Sequence, residues 1–214
     1  MHRLANELPP ALRFKKNAES ASARQHHKRL KALELFASRG FAQTGMRELA
    51  AHMGITAGSI YNHIESKQAL LFDFIEELYV SLLSSVSPSP STQDQAREQL
   101  HALLAAHIAL HDSKGMHFLL AEREMHCLDD EQAETIRTLR TAYEHKFANL
   151  LASAADLGIS PQLTALAKSS VALLNNLPTW LTQDRLDPVS RSQLINSIVR
   201  ASITGTLQDL RSMP

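Results

Sequence analysis

The chain has 214 residues, 44% of them apolar, and its 22 basic and 22 acidic side chains leave no formal net charge at neutral pH. That length suits a small domain beside a larger one. Cys127 is the sole cysteine, which excludes an intrachain disulfide, and the longest uncharged stretches, 78–93 and 169–183, are shorter than a bilayer span and carry Pro, Ser, Asn or Gln. No apolar h-region precedes a small-residue cleavage site in residues 1–14, so no signal peptide or membrane partner is expected and cytoplasm is the default.

The neutral total hides two unlike parts. Residues 1–70 hold eleven Lys or Arg against five Asp or Glu, a balance of +6, whereas residues 71–214 hold eleven against seventeen, a balance of −6. Neutralising phosphates is the sequence-independent part of DNA affinity, so a polyanion is expected to dock on the first part.

Residues 1–22 read as a flexible basic arm whose Arg3, Arg13, Lys15 and Lys16 either track phosphates or stay solvated. A first helix is expected over 22–39, with Leu30, Leu33, Phe36 and Ala37 inward and Gly40 ending it. Met46, Leu49, Ala50 and Met53 then recur at helical spacing behind a cap at Gly45. Gly54 breaks that helix, and Thr56 caps a second short one carrying Ile60 and Ile64. In a helix-turn-helix the second helix enters the DNA major groove and needs small or polar residues at its front. Thr56-Ala57-Gly58-Ser59 supplies them.

The run Gly40-Phe41, Arg47-Glu48-Leu49-Ala50, Gly54, Ser59-Ile60-Tyr61-Asn62-His63, Ser66-Lys67 and Ala69-Leu70 resembles TetR-family transcriptional regulators in order and spacing, over residues 24–71. The resemblance implies an all-α protein of about nine helices. A three-helix helix-turn-helix domain over 23–68 would be followed by a larger helical ligand-binding and dimerisation bundle over 69–214. It also implies that Thr56, Ser59, Tyr61, His63 and Lys67 hold the DNA backbone and that Ala57, Gly58 and Asn62 lie near base edges, with Thr44 and Arg47 available for phosphates. Two departures from the family stand out. His26-His27-Lys28-Arg29 makes the first helix start unusually basic, and Ala57 stands where Lys or Arg is common. Base readout is therefore expected to lean on thymine-methyl contact, on Asn62 or Tyr61, and on DNA shape.

A helix over 66–86, with Leu70, Phe74, Leu78 and Leu82 on one side, would span about 30 Å and reach from the DNA module into the second domain. Ser-Pro-Ser-Pro-Ser at 87–91 stops it. Further helices are expected over 93–111, 116–127, 131–157, 161–177 and 188–210, with Pro161 and Pro188 at first-turn positions. In the last of them Ser197, Ala201 and Gly205 fall four apart beside Leu194 and Ile198. A mid-helix Gly costs about 1 kcal/mol relative to Ala, which a close-packed neighbour would justify. That neighbour lies within the subunit or, as the resemblance implies, across a homodimer formed by the last two helices, whose two heads would read a palindromic operator.

The segment 107–157, with Glu122-Arg123-Glu124, Cys127-Leu128, Leu139-Arg140 and Tyr143-Glu144, is similar to effector domains of TetR-type regulators that sense acyl-CoA thioesters. This implies a small-molecule pocket, for which His107, His111, Arg123, Cys127, Arg140, Tyr143 and Trp180 are candidate lining residues. The arginines would meet phosphate or carboxylate; exposed helix ion pairs such as Arg140 with Glu144 are the competing reading. His107 and His111 are spaced i, i+4 like helical metal ligands, yet no local carboxylate or Cys completes a set, so no metal or cofactor is expected. The function expected is a ligand-responsive repressor released from its operator by a small molecule. A ligand-independent architectural DNA-binding protein is the alternative. An all-α enzyme is the second alternative, although the sequence has no phosphate-cradling glycine loop, nucleophile elbow or zinc spacing.

Overall fold

The computed structural model of the protein describes residues 10–181 and 186–212, with side chains from residue 22 onward. Arg3 and the rest of residues 1–9 of the expected arm lie outside the described residues. Seven α-helices follow one another: α1 (Pro10–Arg39), α2 (Met46–His52), α3 (Lys67–Ser84), α4 (Gln93–Arg123), α5 (Asp130–Ala155), α6 (Pro161–Trp180) and α7 (Pro188–Ser212). Two 3₁₀ turns, Ile60–Asn62 and Met125–Cys127, complete the set, and there is no strand among the described residues. The chain divides into two compact units, Met1–Ala69 and Leu70–Pro214. No described helix is long and apolar enough to cross a membrane.

Three elements differ from the sequence reading. α1 begins at Pro10, not near residue 22, because Pro suits a first helical turn and the following residues are rich in Ala, Leu, Lys, Arg and Glu, all strong helix formers. The expected second helix of the helix-turn-helix is a 3₁₀ turn over Ile60–Asn62. Gly58 and β-branched Thr56 weaken its front, and only the Ile64 amide closes an α-type bond, to the Ile60 carbonyl at 3.1 Å. The helices expected over 93–111 and 116–127 run together as α4, with Lys114 off helical geometry at φ −121°, ψ 16°. Asp112-Ser113-Lys114-Gly115 does loosen the chain there, but Ile108 before it and His117 and Phe118 after it are all buried, and this packing carries the helix across.

In the first unit Ala32, Leu33, Leu35 and Phe36 of α1 bury against Phe41, Leu49, Ala50, Met53, Ile60 and Ile64. Leu30 and Ala37, expected to face inward, are half-buried. In the second unit α4, α5 and α6 pack on one another and α7 packs on α6 and α4. Its helix starts are well capped: the Thr92 hydroxyl accepts from the Gln95 amide at 3.2 Å, Asp129 and Gln132 form a reciprocal capping box, and the Ser160 hydroxyl accepts from the Leu163 amide at 3.1 Å. α7 turns Ile195, Val199 and Ile203 inward, while Leu194, Ile198, Ala201 and Gly205 all lie exposed on its other side.

Candidate nucleic-acid interface and effector site

The reading segment is held from below by a loop. Gly40, at φ +90°, reverses the chain after α1 in a conformation that side-chain-bearing residues rarely adopt. The Thr44 hydroxyl donates to the Gly40 carbonyl at 2.9 Å, and the residue is only 1% exposed. Thr44 is therefore part of the scaffold and not the phosphate ligand the sequence suggested. Lys67, in the first turn of α3, donates to the carbonyls of Phe41 and Thr44, both at 2.8 Å, and its Nζ stands 4.1 Å above the Phe41 ring. Its ammonium ties the loop down with two of its three protons, and the half-buried side chain keeps the third.

α2 starts from Gly45 without a side-chain cap, and Glu48 in its first turn pairs with Arg39 at 2.7 Å. Gly54, at φ +72°, makes the tight turn after α2, where the Ile55 amide bonds the Ala50 carbonyl at 3.0 Å. Thr56 and Ser59 then lock the next corner. The Thr56 hydroxyl donates to the Ser59 hydroxyl at 3.1 Å, and the Ser59 hydroxyl donates to the Thr56 carbonyl at 3.0 Å. Thr56, Ala57, Gly58, Tyr61 and Asn62 are exposed, as is Arg47 on α2, while Ser59 and His63 are half-buried.

His63 Nε2 lies 3.1 Å from Lys28 Nζ. Lys28 can only donate, so His63 accepts through Nε2 and keeps its proton on Nδ1. The basic run 26–29, which lies within α1 and not at its start, thus places an ammonium beside the reading segment. Lys28 was visible in the sequence as a departure, but its partner was not.

The second unit buries a polar network between α3, α4, α5 and α6. His107 is fully buried, with Nδ1 2.8 Å from the Tyr143 hydroxyl. One helical turn on, His111 Nε2 donates to the Leu174 carbonyl at 3.0 Å and its ring stacks on Phe118 with centroids 3.7 Å apart. Asn175 donates to Glu122 at 2.9 Å. Arg140 donates to the buried Glu144 at 3.0 Å and lies beside the Tyr79 phenol. Burial pushes the Tyr79 hydroxyl up to about 12 and raises that of Tyr143 as well. It also lowers His107 to about 3, an effect that His111 reinforces and Asn175 partly opposes. His111 falls to about 4, again mainly through burial. Both rings are neutral; Asn175 stands close enough to His107 to favour its protonated form, yet His107 Nε2 and Asn175 Oδ1 make no hydrogen bond of good geometry among the described residues.

Of the candidate lining residues, the structure joins His107, His111, Arg140 and Tyr143 to this network. Arg123 is exposed, and Cys127 instead faces Glu124 and His126. Trp180 is 62% exposed at the end of α6, so it is not a core anchor. Sequence reading missed Tyr79, Glu144 and Asn175. Tyr79 could have been found from its place four residues after Ile75 on the apolar side of its helix, but nothing in the order of residues pointed to Asn175. Beside the network a cleft of about 210 Å³ is lined by His111, Gly115, Met116, Leu119, Pro178 and Arg191, among others.

A helical hairpin with small, exposed residues on its second arm, in a basic unit attached to a separate helical unit, defines a helix-turn-helix DNA-binding regulator. Residues 30–74 match the bacterial regulatory proteins of the tetR family, and residues 93–201 match the tetracyclin repressor-like C-terminal domain. The chain belongs to the TetR family of transcriptional regulators. It is 25% identical over 173 residues to the HTH-type transcriptional activator FasR of Mycolicibacterium smegmatis, covering 79% of this chain and 76% of FasR. It is 24% identical over 121 residues to the HTH-type transcriptional repressor KstR2 of Rhodococcus jostii, covering 56% of this chain and 59% of KstR2. Among solved structures, AibR in complex with isovaleryl coenzyme A and operator DNA shares the fold with a TM-score of 0.67 at 22% identity, over 82% of this chain and 97% of AibR.

Two outcomes follow from this geometry. Because Tyr61 is 65% exposed, Tyr61→Ala should leave the melting temperature nearly unchanged and weaken binding to a selected operator duplex by about 1–3 kcal/mol in a fluorescence-anisotropy titration. His107 and His111 ionise far more readily once unfolded, so the unfolded chain binds more protons between about pH 3 and pH 6.5. Stability should therefore be fully present above that window and fall on acidification through it. The slope should be shallower in His107→Gln, measured by denaturant unfolding at stepped pH.

Proposed function

We propose that the protein is a ligand-responsive, sequence-specific regulator, working in the cytoplasm as a repressor that a small molecule releases from a palindromic operator. The observation that carries the ligand half of this reading is the loosely paired buried atoms His107 Nε2 and Asn175 Oδ1, between which a bound group with both donor and acceptor character would make better bonds. α3 runs unbroken from Lys67 to Ser84, from the DNA-reading unit into the effector unit, and would carry the signal. A ligand does this only if it binds one arrangement of the two heads better than the other.

The ligand class we favour is an acyl-CoA thioester. Support comes from the Arg140–Glu144–Tyr79 cluster beside the histidines and from the similarity to AibR, which was solved with isovaleryl coenzyme A. Size adds a condition. Pockets for drug-sized ligands hold roughly 300–1,000 Å³, so the cleft of about 210 Å³ beside His111 must widen by parting α4 from α6. An architectural DNA-binding protein is the second reading, favoured by the close stacking of His111 on Phe118. A thermal-shift series over thioesters of increasing acyl length and their free acids separates the two. The regulator reading predicts a concentration-dependent rise with thioesters, worth about 2.7 kcal/mol at a hundredfold excess over Kd, and no shift with any member favours the architectural reading.

The contacts to DNA in this reading come from Arg47, Thr56, Ala57, Gly58, Ser59, Tyr61, Asn62, His63 and the remaining proton of Lys67, with Lys28 beside them. The homodimer in this reading forms through α6 and α7, on the side of Leu194, Ile198, Ala201 and Gly205. Among the described residues nothing beyond its own stretch of helix lies within 4 Å of a Cβ built at Gly205, so its cost of about 1 kcal/mol has no reason inside the described subunit. Gly205→Leu should fold as well as the parent but shift the light-scattering mass towards the monomer and weaken operator binding. An unchanged mass would count against this face.

A further inference from the structure

We propose that Glu124, His126 and Cys127 form a zinc-binding site at the connection between α4 and α5. α4 ends at Arg123, and the Glu124 amide still bonds the Leu120 carbonyl at 2.8 Å. The Cys127 amide then bonds the Glu124 carbonyl at 2.9 Å, closing the 3₁₀ turn Met125–Cys127. Side chains three apart on such a turn eclipse one another, which sets Cys127 over Glu124. The result brings a carboxylate oxygen, an imidazole nitrogen and the chain's sole thiol within 4.8 Å of one another.

Cys127 Sγ is 3.4 Å from His126 Nε2 and 3.6 Å from Glu124 Oε2. A tetrahedral zinc ion bonds sulfur at about 2.3 Å and nitrogen or oxygen at about 2.0–2.2 Å, which places those ligand atoms about 3.6 Å apart. Two of the three donor separations therefore already match those that zinc requires, and the third lies within 4.8 Å. Thiolate, imidazole and carboxylate together suit a borderline-soft ion and not Mg²⁺ or Ca²⁺, which take oxygen ligands. His126 is exposed and the other two are half-buried, so the ion has a path in and a fourth position open to water. Binding is a proton exchange: the thiol loses its proton to solvent as the Zn–S bond forms, with no change in oxidation state.

The site has a place in the effector unit. Glu122, in the last turn of α4, accepts from Asn175, whose Oδ1 is one of the two loosely paired atoms of the buried network. On the other side, the capping box at Asp129 opens α5 two residues after Cys127. Zinc would fix the end of one helix relative to the start of the next.

The test is a Co²⁺ titration of the chelator-treated full-length protein, because a thiolate on Co²⁺ gives a charge-transfer band and Cys127 is the single thiol that can produce it. Saturation at one Co²⁺ per chain, reversal of the band by Zn²⁺, and its loss in Cys127→Ser are expected. His126→Ala should abolish the band at micromolar metal, and Glu124→Gln should weaken binding by about 10-fold or more. Thermal melts of the metal-free variants should match the parent, since none of the three side chains is buried. No band in the parent, or a band of undiminished affinity in both His126→Ala and Glu124→Gln, would overturn the site.

Discussion

The reading segment depends on one lysine. Lys67 places its ammonium between the carbonyls of Phe41 and Thr44 and over the Phe41 ring, so the loop ahead of α2 is pinned to the first turn of α3. Each bond from a charged donor contributes roughly 1.5–3 kcal/mol, which is large against the marginal stability of a small unit. The pinned loop sets where α2 starts, α2 sets the turn at Gly54, and that turn sets which side chains of 56–62 face outward. The Thr44 hydroxyl strengthens the same loop through Gly40. A residue type that a sequence motif associates with phosphate here also builds the platform, on which Tyr61, Asn62 and Arg47 stand exposed.

The effector unit is built the opposite way, around polar atoms left short of partners. An unpaired buried donor or acceptor costs about 1–3 kcal/mol, and His107 Nε2 and Asn175 Oδ1, which face one another without a hydrogen bond of good geometry, carry part of that cost inside a packed helical bundle. The cost would be recovered when a ligand supplies the missing bonds, so these atoms favour a bound state over the empty one. Neutral histidines suit that task better than charged ones, because a cation buried there would demand a counter-ion.

Much of the first unit was legible in the sequence because local signals there agree. Glycines at 40 and 54 are needed for positive φ, the small residues at 56–59 must stay open, and the apolar spacing of 46–53 places one face inward. The 3₁₀ geometry of 60–62 was not legible, since Ile60, Tyr61 and Asn62 are compatible with either kind of turn and tertiary packing decides. In the second unit the helices could be read from periodicity and proline, but not the kink at Lys114, where local composition predicts a stop and burial on both sides overrides it. The buried network was half legible. His107 and His111 share a face by spacing alone, whereas their partners Tyr143, Leu174 and Asn175 come from helices far along the chain. The tight turn that gathers Glu124, His126 and Cys127 was not legible either, because it follows from where α4 stops.

The two units have a regulatory meaning only if their equilibria are coupled, and coupling is reciprocal: whatever factor a ligand takes from operator affinity, the operator takes from ligand affinity. The most direct measurement is the operator dissociation constant, at fixed salt, with and without a saturating concentration of the thioester that stabilises the protein most. The account predicts weaker operator binding with ligand, by roughly 5–150-fold for a coupling of about 1–3 kcal/mol, and the same factor when ligand affinity is measured with operator present. Equal operator affinity in both conditions would contradict it.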